Sequence, residues 1–373
     1  MNRPSAPRVL LMGSLSLCVA VTLGACSASN ENNTPKTTPS SGGGSTAPAL
    51  SGTLNGAGST AQQSAIEAWT AAFQTANTGV TINYDPVGSG GGVDELLSGA
   101  VQFAGSDAYL TSDQIKQAKQ KCGSNPIQVP VYVSPIAVAY NLPGVAKLNL
   151  SPETLAQIFA GKITTWNDKA IAGENPGVKL PSTTITPVHR SDSSGTTFNF
   201  TDYLSQAAGS AWKYPASEDW PLKSGEGADG TSGVVAAVQA GNGTIGYADA
   251  SQAKALSQAL ITVGSAHVAP SAAAASKVLD QSTFVDPSST TNLSMKVNRT
   301  TTSSGTYPII LISYQMFCQK QSSQSTASLI KAFEAYAVSS GGQAAAAKQA
   351  GSAPLTAAII AKATKAINTV TAG

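Results

Sequence analysis

The chain has 373 residues, with 22 basic and 20 acidic side chains and only two histidines. Nucleic-acid-binding proteins usually present a basic face, and no run of lysine or arginine occurs here, so that class of partner is disfavoured. An anionic ligand would have to be held by a local site rather than by the net charge of the protein.

The N-terminus predicts an export signal. Arg3 and Arg8 precede an apolar stretch at residues 9–23, which ends in small residues. This stretch is shorter than the ~20 residues that span a bilayer. A basic start, a short apolar core and a small-residue cleavage site predict a signal peptide at residues 1–25. Its removal takes away two arginines and leaves 20 basic and 20 acidic side chains.

The segment after the signal predicts a lipid anchor and a tether. The sequence LGAC at residues 23–26 looks like a bacterial lipobox, in which Cys26 is lipidated. The alternative is an ordinary signal peptide with an incidental cysteine. Residues 26–50 are rich in Ser, Asn, Thr, Pro and Gly and cannot bury a core, so they predict a flexible tether. We therefore expect an exported protein anchored by lipid to the outer face of the cell membrane, folded from residue 51 onward.

The first half of the folded part alternates between helix and strand patterns. Ile66, Trp69 and Phe73 share one helical face, since they are spaced at i, i+3 and i+7. In chain order the pattern predicts a helix at 60–75, a strand at 80–84, a helix starting at 93–97, a strand at 101–103, a helix at 113–121 and a strand at 127–138. This alternation predicts an α/β architecture with mainly parallel strands.

The second half continues the alternation. Ser151 and Pro152 have the residue types of an N-cap and a first helical position. The pattern predicts helices at 151–160, 196–204, 233–240, 328–338 and 355–370, and strands at 185–188, 244–247 and 307–313. The alanine-rich residues 271–276 are compatible with a loop or a helix.

Two cysteines remain in the folded part. Cys122 and Cys318 flank the apolar runs at 127–133 and 309–312. Disulfides persist in an exported protein. A disulfide between them is therefore expected, and two separate buried thiols are the alternative.

Three glycine-rich turns precede predicted helices. They read GAGST at 56–60, GSGGG at 88–92 and SSGTT at 193–197. The first turn of a helix offers unpaired N–H groups and the positive end of the helix dipole, and glycine lets a ligand approach closely. Such turns favour an anion. None is followed by the Gly-Lys-[Ser/Thr] of a nucleotide-binding P-loop, so a nucleotide is disfavoured.

Two charged positions accompany these turns. Arg190 follows a predicted strand, where its guanidinium could grip two oxygens of a tetrahedral anion, with Asp192 holding it in place. An exposed Arg–Asp pair is the alternative.

Asp107 directly follows another predicted strand, where α/β folds place ligand contacts. A carboxylate there would accept the proton of hydrogen phosphate and would penalise sulfate, which has none. By itself, this position is also compatible with an N-cap of the following turn.

The motifs together resemble those of the phosphate-binding proteins of Pst-type ABC importers. The similarity runs from about residue 54 to 312. It comprises GAGSTA at 56–61, VGSGGGV at 87–93, FAGSD at 103–107, GKITTWND at 161–168, RSDSSGT at 190–196 and IGY at 245–247. The order of these blocks makes the resemblance specific, although each glycine turn alone is not.

The resemblance implies a phosphate site. Its members would be Ser59, Thr60, Ala61, Ser89, Asp107, Arg190, Ser194, Gly195 and Thr196, with Asp192 orienting Arg190. Asp107 would accept the phosphate proton, and the others would donate hydrogen bonds. Ala61 replaces the Phe that is common in the family and Ser193 replaces a Gly, and neither change should abolish binding.

The resemblance also implies a two-lobed, type II periplasmic-binding-protein fold with two hinge crossings. Lobe one would be residues 51–139 plus 309–373, and lobe two residues 140–308. The expected partners are inorganic phosphate and the ABC permease of the importer, with no cofactor, no metal and no nucleic acid. A monomer is expected.

Two other functions remain as alternatives. A phosphatase would need clustered His and carboxylates or a nucleophile elbow, but the chain has only His189 and His267 and no Gly-x-Ser-x-Gly sequence. A protein for another oxyanion, such as arsenate, a phosphonate or sulfate, is the second alternative.

Overall fold

The structure, a computed structural model, describes residues 49–373. The predicted signal peptide, the lipidation site Cys26 and the tether up to residue 48 lie outside the described residues. Within residues 49–373, no helix combines the length and the apolar character that crossing a bilayer requires.

The described part of the chain contains several α-helices. They are α1 (Gln63–Ala76), α2 (Ser89–Ser98), α3 (Ser112–Cys122), α4 (Pro152–Phe159), α5 (Lys169–Glu174), α6 (Gly195–Ala207), α7 (Gly230–Ala240), α8 (Ala272–Asp280), α9 (Gln324–Val338), α10 (Ser340–Ala350) and α11 (Ala357–Asn368), with a 3-10 turn at Gly209–Ala211.

The strands lie between these helices. They are β1 (Ser51–Gly58), β2 (Gly79–Asp85), β3 (Phe103–Ser106), β4 (Pro126–Asn141), β5 (Asn149–Leu150), β6 (Thr186–Arg190), β7 (Glu226–Ala228), β8 (Thr244–Asp249), β9 (Ser257–Gln258), β10 (Leu260–Val263), β11 (Ala266–Val268), β12 (Thr283–Phe284), β13 (Met295–Lys296), β14 (Ile310–Cys318), β15 (Lys320–Gln321) and β16 (Thr371–Ala372).

One large sheet organises the molecule. Its order is β2-β1-β3-β14-β4-β8-β6-β7, and β9 also pairs with β4. The outer strands are parallel, as β1 is to β2 and β3, and as β6 is to β7 and β8. In the middle, β14 and β4 are antiparallel to each other and to their other neighbours. The expectation of mainly parallel strands therefore holds only for the outer strands, because β14 returns from late in the chain to the centre of the sheet.

The long strand β4 joins the two halves of this sheet. Its first part pairs with β14 as far as Pro135, and its last part pairs with β8 from Ile136 onward. The strand is buried along nearly its whole length, which explains its continuous apolar sequence. The half that contains β1, β2 and β3 and the half that contains β6, β7 and β8 thus share one central strand.

Local sequence signals explain several helix boundaries. The Ser151 hydroxyl caps α4 by accepting from the N–H of Thr154, and Pro152 is at the first helical position, as predicted. The alanine-rich segment that was compatible with a loop or a helix forms α8. Helix α2 begins at Ser89, four residues earlier than predicted, so its first turn is the glycine-rich turn itself.

The disulfide is present. Cys122 and Cys318 are joined with an S–S distance of 2.00 Å and a Cα–Cα distance of 5.3 Å. These residues end α3 and β14. The bond therefore ties the returning strand to the half of the sheet that the chain builds first, and the prediction is confirmed.

Candidate functional site

The segments that follow strands β1, β2, β3 and β6 meet at one place. Strand β6 runs antiparallel to β1, β2 and β3 in the sheet. Ser59 follows β1, Ser89 starts the helix after β2, Asp107 follows β3, and Arg190 ends β6. Within each half of the sheet, the parallel strands direct their carboxyl ends to one edge, where ligand-contacting residues collect. The site lies where the two halves of the sheet face each other, and it is buried.

Asp107 is at the centre of the site. Its side chain is 3% exposed. The Ser59 hydroxyl lies 2.8 and 2.7 Å from the two carboxylate oxygens, to which it donates. Ser89 Oγ lies 3.5 Å from Oδ2 and accepts from the Asp107 N–H at 3.2 Å. The carboxylate is therefore held by hydroxyls from two different turns.

The structure answers the question of whether Asp107 caps a helix. The next helix, α3, is capped by Thr111, whose side chain accepts from the N–H of Gln114 in a capping box. The N-cap interpretation of Asp107 is therefore wrong. The carboxylate belongs to the site and not to the following helix.

The environment of Asp107 favours its neutral form more than water does. Burial raises the pKa of this carboxyl above its ordinary value, while the Ser313 and Ser59 hydroxyls and the Arg190 guanidinium oppose that rise in part. Ser313 is on β14 beside a β-bulge at Ser313/Tyr314. Such bulges often re-aim a side chain next to a functional site. Burial and the surrounding donors therefore act on the pKa of this carboxyl in opposite directions, and burial has the larger effect.

Arg190 supplies the positive charge of the site. Its side chain is 2% exposed, and its Nε donates to Asp192 Oδ1 at 2.6 Å while Nη2 donates to Oδ2. The N–H of Gly230 also donates to Asp192, at 3.1 Å. Burial alone would raise the pKa of Asp192, but the Arg190 guanidinium lowers it below its ordinary value. Asp192 thus stays ionised and fixes one edge of the guanidinium, as the fork geometry requires.

The N-terminus of α6 forms another wall. Ser194 is its N-cap and accepts from the N–H of Thr197 at 3.3 Å. The Thr196 hydroxyl is buried and has no hydrogen-bond partner among residues 49–373. A buried hydroxyl without a hydrogen-bond partner costs free energy unless a ligand forms a hydrogen bond with it. Ser194 and Thr196 therefore both lie at the site, and the Thr196 hydroxyl is available to donate to a ligand.

Gly195 allows the close approach of the two halves. A Cβ placed on it would lie 2.7 Å from the Asp107 Cβ and 2.7 Å from Ser89 Oγ. The N–H of Gly90 donates to the Ser193 carbonyl at 3.3 Å across the same gap. Only a residue without a side chain fits at Gly195 when the halves are this close.

Thr60 and Ala61 are placed at the site with their groups engaged. The Thr60 hydroxyl lies 2.8 Å from the Thr231 hydroxyl and accepts from the Thr231 N–H at 3.1 Å. The Ala61 N–H donates to Ser59 Oγ at 3.1 Å. Thr60 therefore bridges the halves, and the N–H of Ala61 orients the Ser59 hydroxyl.

Several residues near the site were not found from the sequence. Thr231 is the second residue of α7, which starts at Gly230, three residues earlier than the predicted helix. The sequence DGTSG at 229–233 is the signal that would have found it. Glu218 accepts from the Ser194 N–H through its carbonyl at 2.9 Å. Burial, together with nearby carboxylates such as Asp107, raises the pKa of Glu218 to about 7.

The two histidines do not build a catalytic centre. His189 is half-buried and stacks on Trp220 with ring centroids 5.1 Å apart. Its Nδ1 lies 2.9 Å from the Arg190 carbonyl. Among residues 49–373, no group of three or more His, Cys, Asp or Glu side chains could hold a metal ion. The arrangement offers hydrogen-bond donors, one cation and one proton acceptor, which suits the capture of an anion.

Comparison with known proteins assigns the family. A family model described as a PBP superfamily domain matches residues 43–340. Phosphate-binding protein PstS2 of Mycobacterium bovis is 35% identical over 323 residues, which cover 85% of this chain and 87% of that protein. The chain belongs to the PstS family of phosphate-binding proteins. Phosphate-binding protein PstS 3 of Mycobacterium leprae is 37% identical over 285 residues, or 75% of this chain and 77% of that protein.

Solved structures agree in fold with this PstS-family protein. A high-affinity periplasmic phosphate-binding protein with bound phosphate has a TM-score of 0.68 and 24% identity, covering 83% of this chain and 92% of that one. A phosphate-binding protein from Stenotrophomonas maltophilia has a TM-score of 0.64 and 18% identity, covering 84% and 93%. The two-lobed type II periplasmic-binding-protein fold is confirmed, and so is the prediction of a binding protein and not an enzyme.

Proposed function

We propose that this protein binds inorganic phosphate between its two lobes and delivers it to an ABC importer. The observation that carries the proposal is the buried carboxylate of Asp107 within a ring of donors, opposite Arg190. Membership of the PstS family supports the same ligand and the same kind of importer.

The donor set suits a tetrahedral anion that still carries a proton. Arg190 and the Thr196 hydroxyl donate to the anion, and the α6 N-terminus adds main-chain N–H groups and a favourable dipole. The Ser59 and Ser89 hydroxyls donate to Asp107 in this structure and would turn to the anion when it binds. Asp107 can only accept while it is ionised, and hydrogen phosphate has a proton to give. Sulfate has none near neutral pH, so it would meet the carboxylate with its own lone pairs and would be rejected.

Each predicted contact is part of this proposal. The proposed phosphate ligands are Ser59, Thr60, Ala61, Ser89, Asp107, Arg190, Ser194, Gly195 and Thr196, with Asp192 supporting Arg190. Thr60 and Ala61 already have hydrogen-bond partners. We propose that the Thr60 hydroxyl and the Ala61 N–H contact phosphate either while they keep these hydrogen bonds or after they give them up.

Closure of the lobes would bury the anion. We propose residues 51–139 plus 309–373 as lobe one and 140–308 as lobe two, with one hinge near the end of β4 and the other just before β14. The contacts of Gly90 with Ser193 and of Thr60 with Thr231 then cross the cleft. Closure removes water and strengthens each hydrogen bond to the anion.

We further propose a lipid on Cys26 that holds the monomeric protein at the outer face of the cell membrane. The support is the LGAC sequence at residues 23–26 and the polar tether that follows it. Mass spectrometry of the protein from membranes would detect the lipid. Loss of membrane association in Cys26→Ser is the expected result, and an unchanged distribution would contradict it.

The function is tested by calorimetric titration of the purified protein, stripped of bound anion. We expect one-to-one phosphate binding at micromolar or tighter Kd, on the order of −8 kcal/mol, and no heat with sulfate. Arg190→Met should weaken phosphate binding by about 100-fold or more, because charge-assisted hydrogen bonds are lost. Lys116→Met, at an exposed surface ion pair, is the control and should bind normally.

The titrations with phosphate, sulfate and arsenate can also contradict or widen the proposal. Wild-type protein that gives no heat with phosphate would refute the proposed function. Equal binding of sulfate would refute the role of Asp107 as the discriminator. Arsenate is nearly isosteric with phosphate and carries a proton near neutral pH, so equal arsenate binding would widen the ligand class to protonated tetrahedral oxyanions.

A further inference from the structure

A buried arginine lies beside the anion site without belonging to it. The Arg299 side chain is 1% exposed, and its Nε donates to Asp202 Oδ2 at 2.9 Å. Its Nη1 donates to the carbonyls of Pro308 at 3.0 Å and Ile310 at 2.7 Å. Its Nη2 donates to Asn199 Oδ1 at 2.5 Å. Arg299 therefore ties helix α6 to the segment that enters β14.

This arginine determines how the Asn199 amide is oriented. A guanidinium has donors only, so the amide atom that faces it must be the oxygen. The amide nitrogen then faces two carbonyls, those of Asp107 at 2.7 Å and Gly195 at 2.9 Å. Donor and acceptor match on both sides, and the side chain is 3% exposed. An aspartate would offer no donor to the carbonyls, and a leucine would offer neither group.

The bond between Asn199 and Asp107 crosses the cleft. Asn199 lies on α6, which follows β6 in one half of the sheet, whereas Asp107 follows β3 in the other half. The bond is buried and reaches the main chain of the residue whose carboxylate faces the anion site. It can form only when the two halves are together.

We propose that Asn199 is a positioning residue that latches the closed cleft and, through the Asp107 carbonyl, keeps the Asp107 carboxylate directed at phosphate. Arg299 holds the amide in the orientation that makes the latch. This inference rests on the proposed phosphate binding and adds a residue that does not touch the anion.

The latch has a kinetic consequence. A contact that exists only in the closed state stabilises the closed state and leaves the open state unchanged. Phosphate leaves after the cleft opens, so loss of the latch should speed dissociation and should hardly affect association. One buried hydrogen bond of ordinary strength corresponds to an about five- to tenfold change.

The test compares two substitutions at Asn199 with a matched control. Asn199→Leu removes both interactions, and a cavity of about 300 Å³ beside Asn199 and Arg299 gives the apolar side chain room to adjust. Asn199→Asp keeps the acceptor for Arg299 and places an oxygen against the carbonyls. Gln206→Leu is the control, since Gln206 is on the same helix and its amide donates to Asp202 at 2.7 Å. Phosphate Kd, stopped-flow rates and the thermal midpoint without phosphate are measured on the whole protein.

We expect Asn199→Leu to release phosphate about five- to tenfold faster, with association unchanged. Asn199→Asp should release it faster still, although its link to Arg299 remains. Gln206→Leu should behave as wild type. Unchanged release in both Asn199 variants would overturn the latch, and so would an effect confined to the midpoint without phosphate, which indicates a purely structural role. If Asn199→Leu does not fold, Asn199→Asp decides. Wild-type protein that does not bind phosphate would instead refute the proposed function.

Discussion

Replacing Asp107 by Asn tests the chemistry of the site most directly. The substitution keeps the size of the side chain, which accepts from Ser59 at 2.8 and 2.7 Å and is 3% exposed. It removes the charge and converts one acceptor into a donor. Phosphate loses the acceptor for its proton, whereas sulfate loses a repulsive partner and gains a donor.

The magnitude follows from the charge on the acceptor. A hydrogen bond to a charged group contributes about 1.5–3 kcal/mol, so phosphate binding by Asp107→Asn should weaken by about 10- to 100-fold. Sulfate binding should become measurable. The selectivity for phosphate over sulfate should therefore narrow by about two orders of magnitude or more, since both changes act in the same direction.

The pH dependence supplies an independent check. Burial raises the pKa of Asp107, so its carboxyl takes up a proton at a higher pH than an exposed aspartate does. The protonated carboxyl can donate to sulfate. Sulfate binding by the wild type should thus strengthen as the pH falls toward that raised pKa, and in Asp107→Asn it should be flat over the same range.

Calorimetric titration with both anions between pH 5 and pH 8 measures these effects. Asp85→Asn, an exposed carboxylate at the end of β2, is the control for charge and should change neither selectivity nor its pH dependence. The reasoning is refuted if Asp107→Asn still rejects sulfate as the wild type does while its thermal midpoint shows that it is folded. Rejection of sulfate would then come from the size or the donors of the cleft.

Three further predictions concern other parts of the molecule. Gly195→Ala should weaken phosphate binding by about 10- to 100-fold, because the added methyl group hinders closure of the lobes and overpacking costs ~1–3 kcal/mol. A normal phosphate Kd in calorimetry would contradict this. Glu218 has a pKa raised to about 7 by burial and neighbouring carboxylates, so Glu218→Gln should bind phosphate more tightly than wild type at pH 8 and equally at pH 5; a pH-independent ratio of the two Kd values would contradict this. Glu334 is fully buried with both oxygens unpaired among residues 49–373, and burial raises its pKa. The Glu334 carboxyl therefore holds its proton more tightly in the folded protein than in the unfolded chain. The protein loses stability as the pH rises above the pKa that Glu334 has in the unfolded chain. Glu334→Leu should raise the free energy of unfolding by about 1–3 kcal/mol, and more at pH 8 than at pH 5, in urea titrations; a less stable variant at pH 8 would contradict this.

Much of the fold could be predicted because its signals are local. A cap such as Ser151 acts on an N–H three residues away, and the helical face of Ile66, Trp69 and Phe73 is set by helix geometry. These interactions lie within one helix or strand and do not depend on how the other helices and strands are arranged. The order of the glycine turns also carried the family resemblance, and thereby the two-lobed fold.

The same locality explains what was missed. Strand β4 was predicted to end at residue 138, but it continues to Asn141 because β8 pairs with its last part. The central strands are antiparallel because β14 returns between β3 and β4. Strand partners are chosen by packing between distant segments, and no periodicity within one strand encodes them.

The sequence by itself determined the residue types of the site: glycines for close approach, hydroxyls before helices, and one arginine with one carboxylate after strands. Only the tertiary structure decided that Thr231 engages Thr60, that Asp107 caps no helix, and that Asn199 connects Arg299 to the Asp107 carbonyl. These hydrogen bonds join residues 171, 92 and 100 positions apart in the chain. Their donors and acceptors meet because the halves of the sheet close on each other, and this closure is a property of the whole fold.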